Sequence, residues 1–284
     1  MPNAGNIEAP ITLFSYGRSG TSLAHGLFQA HPDVDAIGET ADIIFSSALA
    51  VEAAHGIVRG QQGAQGPLEY SERIARAVRA LVLELFPSQS GWWMQKPIGF
   101  PFAWGELARR GKSFPEFLEW YWSTFDLIFP NARCFTVLRH PFDVVLSAHE
   151  YWSRPQDIVW RDLGMIAECI RHPMSKVRYA VNYSALLQNP EDNVKSLFKY
   201  LDLPFHPNVL TAFKKLHAPA PSTESRGEKT SELASANASK KKQAQFSRAS
   251  RWNTLDASAM SPEHQRSIEA LWHSFGQQLT FGSD

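Results

Sequence analysis

Two short stretches of this chain combine residue types that bind anions. Residues 11–40 read ITLFSYGRSGTSLAHGLFQAHPDVDAIGET, with Gly17, Arg18, Ser19 and Gly20 set between an apolar run and an amphipathic segment. Gly17 and Gly20 permit a turn whose backbone N–H groups converge on one centre. Thr21 and Ser22 then open a helical pattern with Leu23, Leu27 and Phe28 on one face, which aims the unpaired helix-start amides at that same centre. Arg18 adds a planar fork of donors suited to a tetrahedral oxyanion. Residues 133–147, RCFTVLRHPFDVVLS, repeat the arrangement: a strand-like run, Arg139 at its end, Pro141 suited to a first helical turn, and Ser147 about two helical turns along. Two such strand-loop-helix motifs suggest a ligand with two separated phosphate groups. Taken singly, the first motif also reads as a plain tight turn, and the second as a surface arginine with a helix-interior serine.

The elements that must position these residues alternate along the chain, which argues for an α/β fold with a mainly parallel sheet covered on both faces. After the first strand and helix, residues 41–54 and 70–86 read as helices separated by a Gly/Gln-rich turn at 56–67. Trp92 to Lys96 reads as a short strand. Ser113 and Glu116 form a capping box for a helix through Phe129, and Asn189 with Pro190 caps another through Leu201. Residues 217–245 are small and polar, with Lys240, Lys241 and Lys242 in a row. They read as a mobile loop within one domain spanning 1–284.

Composition narrows the classes. With 284 residues and 44% hydrophobic content, the chain can bury the core of one sizeable domain. Lys plus Arg equals Asp plus Glu at 28 each, so no global field draws nucleic acid or an anionic membrane, and phosphate recognition must be local. The two cysteines, Cys134 and Cys169, read as small core residues rather than a disulfide. No histidine pair has metal-ligand spacing. His31 reads as a turn residue, His140 as a neighbour of the second motif, and His149 as a fallback general base. The aromatic crowd from Trp92 to Trp122 reads mostly as core, with the remainder available to line a pocket for flat organic molecules or cations. A nucleoside-triphosphate loop would need Gly-Lys-Ser/Thr, and Thr21 stands where the lysine belongs.

The sequence resembles the sulfotransferases that use 3′-phosphoadenosine 5′-phosphosulfate (PAPS). YGRSGTS looks like that family's 5′-phosphosulfate loop, and LRHPFDVVLS like its 3′-phosphate motif of an Arg and a Ser eight apart. The resemblance is nearest to the branch containing tyrosylprotein sulfotransferases. There an Arg-Ser-Gly-Thr loop precedes an Ala-His-Pro-Asp-Val stretch, here residues 30–34, and a Gly-Glu-Thr element, here Gly38, Glu39 and Thr40. It extends from Ile11 to about Leu255. By this likeness Glu39 corresponds to the catalytic base, Lys96 in WMQKPIGF to the transition-state lysine, and Tyr183 to the tyrosine of a Tyr-Glu-x-Leu helix. Arg251 and Trp252 in RASRWNTL correspond to a basic-Trp segment that returns to the nucleotide. Ser184 replaces the glutamate of the Tyr-Glu pair, and no histidine follows Lys96 at the position used by steroid and phenol sulfotransferases.

The resemblance implies a P-loop-like sulfotransferase fold and transfer of a sulfuryl group from PAPS to a hydroxyl, or less readily an amine, of a small-molecule acceptor. Glu39, Lys96 and Arg18 would be catalytic. Gly17 through Ser22, Arg139, Ser147, Tyr183, Arg251 and Trp252 would bind PAPS and its product PAP, with no metal, nucleic acid or membrane partner. The N-terminal decapeptide MPNAGNIEAP lacks the basic and apolar parts of a leader, which favours a cytoplasmic enzyme. Peptide tyrosine sulfation, a nucleotide-dependent small-molecule kinase and a catalytically silent nucleotide binder remain alternatives. An acidic peptide acceptor would want a basic groove, for which the chain offers only the Lys240 cluster outside the nucleotide motifs.

Overall fold

The structure is a computed structural model, and it describes residues 9–62, 67–87, 90–97, 102–217, 252, 255, 259–279 and 281. The segment 218–245, and with it the expected mobile loop and the triple lysine, lies outside the described residues, as does Arg251.

Five parallel strands form one sheet in the order β2-β3-β1-β4-β5. They are β1 (Ile11–Leu13), β2 (Val34–Ala36), β3 (Trp92–Gln95), β4 (Arg133–Leu138) and β5 (Val177–Asn182). β4 shows why the sheet is covered on both faces. Phe135 and Val137 join a cluster with Leu27, Phe28 and Phe198, while Cys134 and Leu138 join a second one with Phe117, Trp122 and Ile170. Such unbroken apolar runs mark strands with helices above and below. The first face carries α1 (Thr21–Gln29), α8 (Tyr183–Gln188), α9 (Pro190–Tyr200) and α10 (Asn208–His217). The second carries α2 (Ala41–Gln62), α3 (Pro67–Leu85), α4 (Phe102–Arg109), α5 (Phe114–Ile128), α6 (Pro141–Trp152), α7 (Gln156–Arg171) and α11 (Pro262–Ser274).

β1 lies at the centre, pairing with β3 through Ile11 and Met94 and with β4 through Ile11 and Arg133. The chain leaves β1 toward β2 on one side and later crosses to β4 on the other, so a topological switch point opens at the carboxyl end of β1. Ligands of open α/β sheets bind in that crevice. Both anion motifs run off strand ends there.

Several expectations hold at the level of single caps. Ser113 and Glu116 make the full capping box of α5, with Ser113 N–H donating to Glu116 Oε2 at 2.9 Å. Pro141 sits in the first turn of α6. Both cysteines are free and buried, with burial pushing their thiol pKa values up. The described part of the 56–67 turn differs from expectation: α2 runs on through Gly56 to Gln62, and α3 begins at Pro67. Gly56 and Gly60 in the helix interior each cost only about 1 kcal/mol, and proline at a helix start costs nothing. β3 ends at Gln95, one residue early, and this leaves Lys96 on the loop above the sheet. Asn189 stands at the start of α9 without a side-chain cap bond; its carbonyl oxygen accepts instead from Asn193 Nδ2 at 2.8 Å.

Among the described residues, no helix is long and apolar enough to cross a membrane.

Candidate active site

The loop after β1 takes the shape its glycines allow. Gly20 has φ +103°, and a Cβ there would lie 2.4 Å from Cδ2 of Tyr183. Both facts demand glycine. Because Gly20 has no side chain, no capping group competes for the first amides of α1, and they remain available to an anion. Arg18 is also left-handed, with φ 70°, a conformation uncommon for a residue with a Cβ. Gly17 permits a close approach of its own, since a Cβ there would fall 2.4 Å from the ring of Trp152. Ser19 and Thr21 are buried, while Ser22 is exposed.

The second motif closes onto the first. Arg18 Nε donates to Ser147 Oγ at 3.1 Å, and Arg139 donates to the Arg18 carbonyl oxygen at 2.9 Å. Arg18 thus reaches the Ser147 side of the site. Its guanidinium lies 4.1 Å over the Tyr151 ring. Arg139 is 8% exposed, lies 4.8 Å over the Tyr183 ring, and pairs with Asp143 at 3.6 Å. Its buried Nε makes no hydrogen bond. Asp143 also accepts from Trp252 Nε1 at 3.1 Å, and the Trp252 ring stacks on His140 at 4.1 Å. A residue more than a hundred positions away thereby returns to the second motif.

Two guanidiniums held this close repel. Burial lowers the pKa of Arg18, and the like charge of Arg139 lowers it further, against the opposing pull of Tyr151. Among the described residues, Asp143 is the one carboxylate paired with Arg139, so the charge balance there suits an incoming dianion. The cradle of amides, the Arg139 guanidinium and buried Ser147 fit phosphate groups.

Glu39 and Lys96 meet at the ends of β2 and β3. Lys96 Nζ lies 3.4 Å from Glu39 Oε1, with side-chain exposures of 13% and 66%. Buried bonds below fix the pair: Thr40 Oγ1 donates to Gln95 Oε1 at 2.9 Å, and Gln95 Nε2 donates to Thr12 Oγ1 at 3.3 Å. The Lys96 N–H donates to the Gly38 carbonyl oxygen at 3.3 Å. His25, which sequence reasoning did not single out, donates from Nε2 to the Ile37 carbonyl oxygen at 2.7 Å. Burial lowers its pKa and Lys96 adds to that, so it stays neutral and positions the chain leading to Glu39. His31 is more than a turn residue: it is buried, accepts from Asp33 N–H at 3.2 Å and donates to the Pro204 carbonyl oxygen at 2.8 Å. His149 Nδ1 is engaged with the Arg154 carbonyl oxygen at 2.9 Å.

A family model described as the sulfotransferase family matches residues 10–207, a stretch that contains both anion motifs, Glu39 and Lys96. The chain belongs to the sulfotransferase family. Solved structures similar to this sulfotransferase include the sulfotransferase domain from the curacin biosynthetic pathway, at 14% identity and a TM-score of 0.54, with 99% of each chain covered. The sulfotransferase domain of the Synechococcus PCC 7002 olefin synthase is similar at 15% identity and a TM-score of 0.52, covering 98% of this chain and 96% of that one. At these identities the likeness establishes the shared fold. A search of curated proteins found no match.

Tyr151, Trp152 and Asp143 also had no separate signal in the sequence. They lie on the α6 face that carries Ser147 or at its last turn, and a helical projection from Arg139 would have drawn attention to Asp143, four residues on.

Proposed function

We propose that this sulfotransferase moves a sulfuryl group from PAPS to a hydroxyl of a small-molecule acceptor. The observation that carries the reading is the junction of the two anion motifs, where Arg18, Arg139 and Ser147 bond to one another at the switch point of the sheet. The α1 amides and the Gly17–Gly20 turn would hold the 5′-phosphosulfate. Arg139 and Ser147, with Trp252 packed beside them, would hold the 3′-phosphate that separates PAPS from common nucleotides.

The donor supplies the sulfuryl group, whose bond to the 5′-phosphate oxygen breaks, leaving PAP, as the acceptor oxygen bonds to sulfur. Glu39 accepts the proton that this hydroxyl loses. Its carboxylate is exposed enough to meet an acceptor, and Lys96 beside it is held by backbone bonds. Lys96 stabilises negative charge on the transferring oxygens, as fixed cations do in phosphoryl transfer. Arg18 braces the loop between the two halves.

Calorimetry with PAP and with adenosine 5′-phosphate tests the donor assignment. PAP should bind at least about tenfold more tightly, the value of one charged contact. Equal affinities would reject PAPS as donor.

A further inference from the structure

Two residues with side chains take a left-handed backbone where the end of α6 meets the donor loop. Arg18 has φ 70°, and Ser153, which ends the helix, has φ 53°. A residue with a Cβ keeps such a conformation only where its surroundings hold it.

Around Arg18 those surroundings are three side chains that meet three consecutive loop residues in reverse order. The Tyr151 ring lies 4.1 Å from the Arg18 guanidinium, Trp152 fills the space that a Cβ on Gly17 would need, and Arg154 donates to Tyr16 Oη at 3.2 Å. Trp152 also meets the Tyr16 ring edge-on at 6.2 Å. Resting on the reading of this loop as the donor site, we propose that Tyr151, Trp152 and Arg154 are positioning residues. They clasp the loop, so that the donor meets a site already set.

The clasp is anchored on both sides. Tyr16 is 5% exposed and belongs to the core on the second face of the sheet. Arg154 also donates to Asp162 of α7 at 3.0 Å, and Arg161 holds the other oxygen of that carboxylate at 3.0 Å. The Arg154 carbonyl oxygen accepts from His149 Nδ1 at 2.9 Å, which fixes the turn after α6. At the other end, Tyr151 holds the Arg18 guanidinium where its Nε reaches Ser147 Oγ at 3.1 Å. Without that ring the long Arg18 side chain regains rotamer freedom, and donor binding must then supply the free energy that orders the loop. Tyr151 and the Arg154 side chain are 49% and 46% exposed, so they add little to the core and their contacts act on the loop.

The test uses the full chain with Tyr151→Leu, Tyr151→Phe and Arg154→Met. Amide hydrogen exchange across residues 16–22 reads the loop, exchange in β4 serves as the internal reference, and calorimetry with PAP reads the site. Tyr151→Leu and Arg154→Met should each speed loop exchange and weaken PAP by about three- to tenfold, the range of a partly desolvated cation–ring contact or a charged hydrogen bond, with β4 exchange unchanged. Tyr151→Phe keeps the ring face and should leave both readings at native values. Unchanged loop exchange in both damaging variants, or weaker PAP binding without faster exchange, would overturn the clasp. So would a Tyr151→Phe variant as impaired as Tyr151→Leu, or exchange that rises as much in β4 as in the loop, the mark of general loosening. If the native chain binds PAP no better than adenosine 5′-phosphate, the donor reading fails, and loop exchange alone still decides whether the clasp holds.

Discussion

The two halves of the site are built in opposite ways. Around Arg139 the side chains are buried and bonded to one another: Ser147 is 2% exposed, Tyr183 lies under the guanidinium, and Asp143 links Arg139 to Trp252. Around Glu39 the polar bonds lie below the surface, in the Thr40–Gln95–Thr12 chain, and the carboxylate itself projects into solvent. A cage of fixed partners suits a group that is recognised and never altered. An exposed carboxylate on a braced loop suits a proton acceptor that must meet varied acceptors. The difference predicts that damage to the first half appears in binding and damage to the second half in turnover.

The sharpest way to break that contrast is Glu39→Gln. Turnover with a sulfated acceptor should fall by about two to four orders of magnitude, the usual share of a general base, with PAP affinity unchanged by calorimetry. Near-normal turnover would place the base elsewhere.

Gly20→Ala should disturb both halves at once. A left-handed φ with a Cβ costs about 1–3 kcal/mol, and the Tyr183 ring must also move, so thermal unfolding should come earlier and PAP binding should weaken together. An unchanged melting temperature would show that the loop can adopt another conformation.

Arg139→Ala tests the caged half alone. Affinity for PAP should fall by about 1.5–3 kcal/mol, a hydrogen bond to a charged group, whereas adenosine 5′-phosphate should bind as before. Equal losses for both nucleotides would mean that Arg139 shapes the loop rather than reading the 3′-phosphate.

The smallest effect concerns His25 in the open half. Its folded pKa lies below the ordinary 6.5, so the unfolded chain takes up the proton first as pH falls. The contribution is full above pH 6.5 and is lost as pH drops below it toward the lowered folded value. Urea unfolding at about pH 7.5 and 5.5 should show a stability loss in the native chain that is smaller in His25→Gln. An equal loss in both would assign the pH dependence to other groups.

Much of this was legible in the chain itself. Glycine at 17 and 20, arginine at 18 and 139, and apolar runs before each are local requirements, because turns and helix starts depend on neighbouring residues. The parallel sheet followed from strands too apolar to face water, and Ser113 with Glu116 announced a helix start that the structure contains. The continuation of α2 through Gly56 and Gly60 was not legible, since a glycine weakens a helix by only about 1 kcal/mol and does not by itself end it.

The amino-acid order by itself determined which residues could grip an anion and which elements would carry them. Only the tertiary structure decided that Arg18 bonds to Ser147, 129 positions away, that Trp252 stacks on His140, and that Lys96 meets Glu39 across two strand ends. Those contacts depend on strand order, with β1 placed between β3 and β4, and strand order is set by how two apolar faces are best covered. No local pattern encodes it, because the free energy that selects it is shared across the whole core.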